Sequence, residues 1–251
     1  MHWIDRSKLH TKTLAGTFLN LGSANSVEIA GQLGFDWLLI DLEHGSGSWS
    51  ELRSQLQALS GSQTAPIVRV RSADPDAVKF VLDSGAAGVM FPWISSPEDA
   101  AAAVSSVKYP PVGKRGVAQG IRATDYGRNW QQYFHEANEN TLVVVQIETP
   151  EAVARAQQIA GTDGVDVLFV GPLDLSVNLG CPGDFSGQRF RDQLAAVVEA
   201  CHQHGKTAGI LSRPDFVAEH VELGFRFVAL GSDIGAVTSG LSANLQCLKS
   251  L

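Results

Sequence analysis

The chain has 251 residues, 44% of them apolar and 18% charged, with a net charge of −7 and a pI near 5.4. That acidic balance argues against nucleic acid or an anionic membrane surface as a partner. No run approaches the ~18 apolar residues of a membrane span, and the N-terminal MHWIDRSKLHTKTLAG lacks the apolar core of a signal peptide.

The three cysteines, Cys181, Cys201 and Cys247, have no CxxC spacing and read as reduced thiols, so the expectation is a soluble, cytoplasmic protein. A closed parallel barrel typically uses about 250 residues as one domain. A charged fraction below the usual ~25% fits a chain much of whose surface is covered by helices or by neighbouring subunits.

Strand-like and helix-like segments alternate from end to end, which predicts a parallel sheet with helical crossovers. Strands are expected at residues 14–19, 37–41, 66–70, 88–91, 142–145, 167–170, 206–210 and 226–230. A helix over 26–33 ends at Gly34, and one over 49–59 follows the EHGSGS loop. Asp74 introduces a helix over 75–84 closed by Gly85, and Ser96-Pro97-Glu98-Asp99 starts an alanine-rich one. A further helix is expected over 214–223. Eight strands with their crossovers give an α/β fold, a single-domain (β/α)₈ TIM barrel over residues 1–251. The connection 108–140 is long for an αβ loop and reads either as a surface insert or as a lid or subunit contact over the mouth.

Chemistry concentrates at strand ends. The run 142–174 ends one buried strand with Gln146 and Glu148, two apart and so on one side of an extended chain, and a second just before Asp174. In a parallel barrel the C-terminal strand edge is where chemistry is placed. Two carboxylates there, with no nearby lysine or arginine in sequence, fit a divalent cation held by oxygen ligands: Mg²⁺, Mn²⁺ or Co²⁺ rather than structural zinc. The blander reading is that Glu148 caps its own helix and Asp174 starts the next turn. The second strand ends in Asp41-Leu42-Glu43-His44, which places His44 as a base candidate. Arg69 within IVRV is a buried cation that needs an anionic partner; it either serves the site or merely ties strands together through Asp41 or Glu43. No lysine sits at the top of a predicted strand, where a Schiff-base lysine would have to be; Lys12 and Lys206 lie at strand starts, at the bottom of the barrel. Carbonyl chemistry here therefore points to a metal as electron sink.

These residues lie in segments that resemble the HpcH/HpaI family of class II, metal-dependent pyruvate aldolases. The anchors are FDWLLIDLEHG (35–45), PIVRV (66–70), VLDSGA (81–86), YPPVGKRG (109–116), VVVQIET (143–149) and FVGPLDLS (169–176), in the family's order. The resemblance implies a TIM barrel assembled as a homohexamer, a trimer of dimers, with a C-terminal helix exchanged between subunits. It implies cleavage of 4-hydroxy-2-oxo acids to pyruvate and an aldehyde through a metal-bound pyruvate enolate. It implies His44 as general base, Asp83 as the carboxylate raising its basicity and Arg69 as the transition-state arginine. Glu148 and Asp174 then match the metal ligands. Gln146, the backbone N–H of Leu173 and Asp174 match substrate contacts. Leu173 stands where the family usually has a small residue, and Phe91-Pro92-Trp93 is bulkier than the usual pattern.

Alternatives are a citrate-lyase-β-like acyl-CoA lyase, whose cofactor phosphates would need Lys114, Arg115, Arg122 and Arg128, a phosphodiester hydrolase, or a non-catalytic barrel.

Overall fold

A computed structural model of the chain describes residues 2–250. Eight parallel strands close into a barrel: β1 (Leu14–Leu19), β2 (Trp37–Asp41), β3 (Ala65–Arg69), β4 (Gly88–Phe91), β5 (Leu142–Ile147), β6 (Val167–Val170), β7 (Thr207–Ser212) and β8 (Phe227–Ser232). Closure is made by β1 on β8, with Leu14 opposite Phe227.

Strand alternation splits the apolar residues into two layers. On β2, Trp37 and Leu39 join the barrel interior, while Leu38 and Ile40 join the larger cluster between sheet and helices. The interior is filled by aromatics: Trp37 stacks on Phe227 at 3.9 Å and meets Phe169 edge-on at 6.1 Å. Gly16 makes room for this stack, since a Cβ there would lie 2.2 Å from the Trp37 ring.

Helix starts follow their caps. The side chains of Ser23, Asp74, Ser96 and Thr149 each accept a backbone N–H of the helix they precede.

The connection after Val107 is not a lid. It contains a helix, Trp130–Asn140, whose Tyr133 and Ala137 pack with Tyr109 and Ala123 in a small core of their own. Arg122 donates to the carbonyls of Leu56 and Ser84 at the C-terminal ends of two barrel helices. Lys108 donates to the carbonyls of Asn138 and Thr141, just before β5 begins. These contacts put the insert at the N-terminal end of the strands, opposite the mouth. Among the described residues no helix is long and apolar enough to cross a membrane.

Candidate active site

The register sets the site. Asp41 and Arg69 are paired positions at the ends of β2 and β3. Arg69 Nε lies 2.9 Å from Asp41 Oδ1 and Nη2 lies 2.7 Å from Oδ2, a two-point ion pair. Asn20, just past β1, donates to Asp41 Oδ2 at 2.6 Å. The backbone N–H groups of Glu43 and His44 reach Asp41 Oδ1 at 3.0 and 3.3 Å, so this carboxylate also folds the loop that carries His44. Burial is the largest single influence and works against the Asp41 charge, but the Arg69 hydrogen bonds and charge, with the two backbone N–H groups, together hold the group below the ordinary carboxylate range.

Arg69 turns its remaining nitrogen inward. Nη1 lies 3.1 Å from Glu43 Oε2 and 3.4 Å from Gln146 Oε1. Gln146 then donates to Glu148 Oε1 at 3.1 Å, so the two residues do share one side of β5. The other Glu148 oxygen accepts the N–H of Trp93 at 3.0 Å. Trp93 holds a left-handed backbone, φ +55°, which aims that N–H into the mouth. Gly171 lets Glu148 approach, because a Cβ there would lie 2.4 Å from Oε1.

Glu148 is 3% exposed. Burial, with Asp174 and Glu43 adding like charge, pushes its carboxyl up to about 7 against the help of Trp93 and Arg69. Glu43 is raised as well, by burial first. Asp174 sits in the first turn of the helix Pro172–Asn178. His44, Arg69, Gln146, Glu148, Leu173 and Asp174 line one cavity of about 410 Å³ at the C-terminal strand edge.

Four carboxylates thus share this mouth with Arg69, which Asp41 already neutralises. Among the described residues no group of three or more His, Cys, Asp and Glu side chains is arranged as a ready metal cage. Glu148 and Asp174 could instead offer a pair of oxygen donors, as both line one open cavity that carries excess negative charge. That set fits a hard divalent cation that keeps positions free for substrate.

Two sequence expectations meet different surroundings. Asp83 closes the helix Pro75–Asp83 and binds Arg115 at 2.8 Å, a guanidinium fully enclosed between Tyr109 and Tyr133. The chain does not bring Asp83 to His44; the carboxylate beside the His44 ring is Glu43, at 3.8 Å, and the ring itself is 69% exposed. Three of the four basic residues named for an acyl-CoA site are engaged elsewhere: Arg115 with Asp83, Arg122 with carbonyls, Arg128 with Asp125; Lys114 is exposed.

A closed parallel α/β barrel with carboxylates, an arginine and a histidine gathered at the C-terminal strand edge has the build of a barrel enzyme. The family model described as HpcH/HpaI aldolase/citrate lyase matches residues 14–239, and the chain belongs to that family. It is a carbon–carbon lyase of the aldolase type. It is 40% identical over 235 residues to a 2-dehydro-3,6-dideoxy-6-sulfogluconate aldolase of Pseudomonas putida, covering 93% of this chain and 92% of that one. It is 40% identical over 222 residues to a 5-keto-4-deoxy-D-glucarate aldolase of Salmonella paratyphi A, covering 88% and 86%. A solved HpcH/HpaI aldolase/citrate lyase family protein of Burkholderia cenocepacia superposes with a TM-score of 0.91 at 35% identity, covering 97% and 98%.

Proposed function

We propose that the enzyme cleaves, and in reverse forms, 4-hydroxy-2-oxo acids, giving pyruvate and an aldehyde with the help of Mg²⁺, Mn²⁺ or Co²⁺. The observation that carries this reading is the convergence of Glu148 and Asp174 on one cavity beside Arg69. Glu148 and Asp174 would hold the cation, which supplies a Lewis acid for the 2-oxo group.

The chain's own residues do the rest. Leu173 offers an N–H from the first turn of its helix, unused within the helix, to the substrate carboxylate. Gln146, held between Arg69 and Glu148, orients the oxo acid. His44, in reach of solvent and beside Glu43, takes the C4 hydroxyl proton directly or through a water. The C3–C4 bond then breaks, the aldehyde leaves, and the electron pair passes toward the 2-oxo oxygen as the enolate of pyruvate. Arg69 faces that developing charge, an electrostatic contribution that is commonly the largest single one. A proton delivered to C3 completes pyruvate.

The relatives are named for a glucarate and a sulfogluconate derivative, which favours sugar-acid substrates of similar type. The non-catalytic reading has no observation in its favour.

The working form is proposed to be cytoplasmic and a homohexamer built as a trimer of dimers. Its C-terminal helix, Asp233–Lys249, buries no side chain beyond Asp233 and exposes Ile234, Val237, Leu241, Leu245 and Leu248. A helix of this kind gains its stability from packing, so a second copy of the chain is the fitting cover.

The test is pyruvate release across a panel of 4-hydroxy-2-oxo acids in chelator and after adding each cation. Turnover that appears with the cation supports the reading; no pyruvate from any member with Mn²⁺, Co²⁺ or Mg²⁺ present overturns it.

A further inference from the structure

Arg213 is the first residue beyond the end of β7, and it lines the mouth cavity together with Leu173 and Leu211. Its guanidinium carbon lies 4.5 Å from the centroid of Phe185. Phe185 is a firm platform: it is 8% exposed and packs edge-on against Phe190 at 5.5 Å and Phe216 at 6.5 Å. Stacking of this kind fixes the plane of a guanidinium while leaving its N–H groups free. Among the described residues the Arg213 side chain donates no hydrogen bond to the protein and has no carboxylate partner. Arg69, by contrast, is held by Asp41 and Glu43.

The mouth therefore has two cations with different surroundings. Arg69 lies deep, neutralised and locked, where the oxo-acid half would react. Arg213 lies at the rim, oriented by an aromatic ring, with its donors facing the cavity and solvent. The same cavity is lined by Glu148 and Asp174, whose charge would repel any anion not already bound to the cation. An acidic group on the aldehyde half would have to sit away from those carboxylates. Arg213, seated on Phe185 and without a carboxylate partner, is the cation that can receive it, through two parallel N–H···O bonds.

Resting on the aldolase reading, we infer that Arg213, seated on Phe185, is a specificity-determining residue that receives a second oxyanion, a carboxylate or sulfonate, at the far end of the aldehyde half. Leu173 and Leu211 form the apolar walls along which the carbon chain between the two acidic ends lies. A single charge-assisted pair at a partly open rim changes kcat/KM by about 10- to 100-fold.

The experiment compares wild type, Arg213→Gln and Arg213→Lys in the synthesis direction. Pyruvate and Mn²⁺ are held constant, with succinic semialdehyde as acidic acceptor and butanal as neutral acceptor of the same chain length. Solvent-deuterium exchange into the pyruvate methyl group, followed by NMR without any aldehyde, is measured on all three proteins. The expected result is a 10- to 100-fold drop in kcat/KM for the acidic aldehyde in Arg213→Gln, carried mainly by KM. Butanal stays within about threefold, Arg213→Lys recovers part of the loss, and methyl exchange is unchanged. An acidic-aldehyde value that does not move, or one that falls together with butanal, overturns the role of Arg213 while intact exchange leaves the aldolase reading standing. Absence of methyl exchange in wild type overturns the aldolase reading itself, and this inference with it.

Discussion

Asp41 and Arg69 meet across adjacent strands in a two-point ion pair, both side chains below a tenth exposed. The pair does two things. It ties β2 to β3, and it orients the guanidinium so that Nη1 reaches Glu43 and Gln146 at the cavity wall. The sequence allowed either a structural tie or a site residue; the geometry shows the tie and also sets the arginine in the cavity wall, where the proposed role in catalysis requires it. Arg69→Lys keeps the charge but not the planar fork. We expect turnover to fall ~10²–10³-fold, as for loss of one preorganised donor. Loss of the paired geometry around buried Asp41 should also lower stability, by less than the ~3–5 kcal/mol of outright removal. Steady-state pyruvate formation and thermal melting check the two effects separately; turnover within a few-fold of wild type would rule out the catalytic part.

Glu148 predicts how proton and cation compete. Its folded pKa, about 7, stands above the ordinary glutamate value of 4.5. A raised carboxyl pKa means that the fold disfavours the charged form. In the cation-free protein this group is neutral and costs nothing below pH 4.5. Its penalty grows as pH rises to about 7 and then levels off, on the order of 3 kcal/mol. Glu148→Gln should therefore melt higher than wild type at pH 8 in chelator, with the difference vanishing near pH 4.5. Mn²⁺ should stabilise wild type at pH 8 and do so progressively less below pH 7, because the ligand must be deprotonated. Calorimetric melts at four pH values with and without Mn²⁺ measure this, and a pH-independent Mn²⁺ effect would contradict it.

Gly171 gives a sharper test of the same carboxylate. Its φ of −89° suits any residue, so alanine brings no backbone strain, yet the added methyl would lie 2.4 Å from Glu148 Oε1. Glu148 must swing away from both Gln146 and the cavity. Gly171→Ala should weaken Mn²⁺ binding about 10- to 100-fold, the scale seen when groups that orient a ligand are lost. Titration calorimetry on the folded variant reads the change directly.

Much of this was readable from residue order, and the exceptions have physical causes. Strands β2, β4 and β6 match their expected bounds because each is a largely apolar run between turn residues, and β1 matches although Gly16 and Thr17 interrupt its run. β5, β7 and β8 run two residues further than expected at their C-terminal ends. Polar Gln146, Ser212 and Ser232 interrupt the apolar signal there while the ladder continues, and those are the mouth positions. The helix Trp130–Asn140 was hidden because its buried face is short and its packing partner, Tyr109, lies across a loop. At the site, Arg69, Gln146, Glu148 and Asp174 were found because strand ends converge in a barrel. Asn20, Gly171 and the N–H of Trp93 act through long-range approach or a left-handed turn, which leaves no local pattern in the sequence. Asp83 belongs to a helix end whose partner, Arg115, is 32 residues away in sequence.

The C-terminal helix supplies the remaining prediction. Seventeen residues long, it leaves Leu241 65% and Leu245 52% exposed, and these two, four apart, lie on one face. Ile234, Val237 and Leu248 extend the same kind of apolar surface along its length. Exchanged between copies, such a face becomes buried, and each large apolar side chain then contributes roughly 1.5–3 kcal/mol. A charge placed there would have to be desolvated on assembly, so Leu241→Asp with Leu245→Asp should break the assembly into smaller species. The barrel itself should fold unchanged, because its strands and inner cluster do not use these residues. Light scattering after size exclusion gives the mass, and far-UV circular dichroism confirms the fold. A doubly substituted chain with the mass of wild type would exclude this helix as the element that joins subunits.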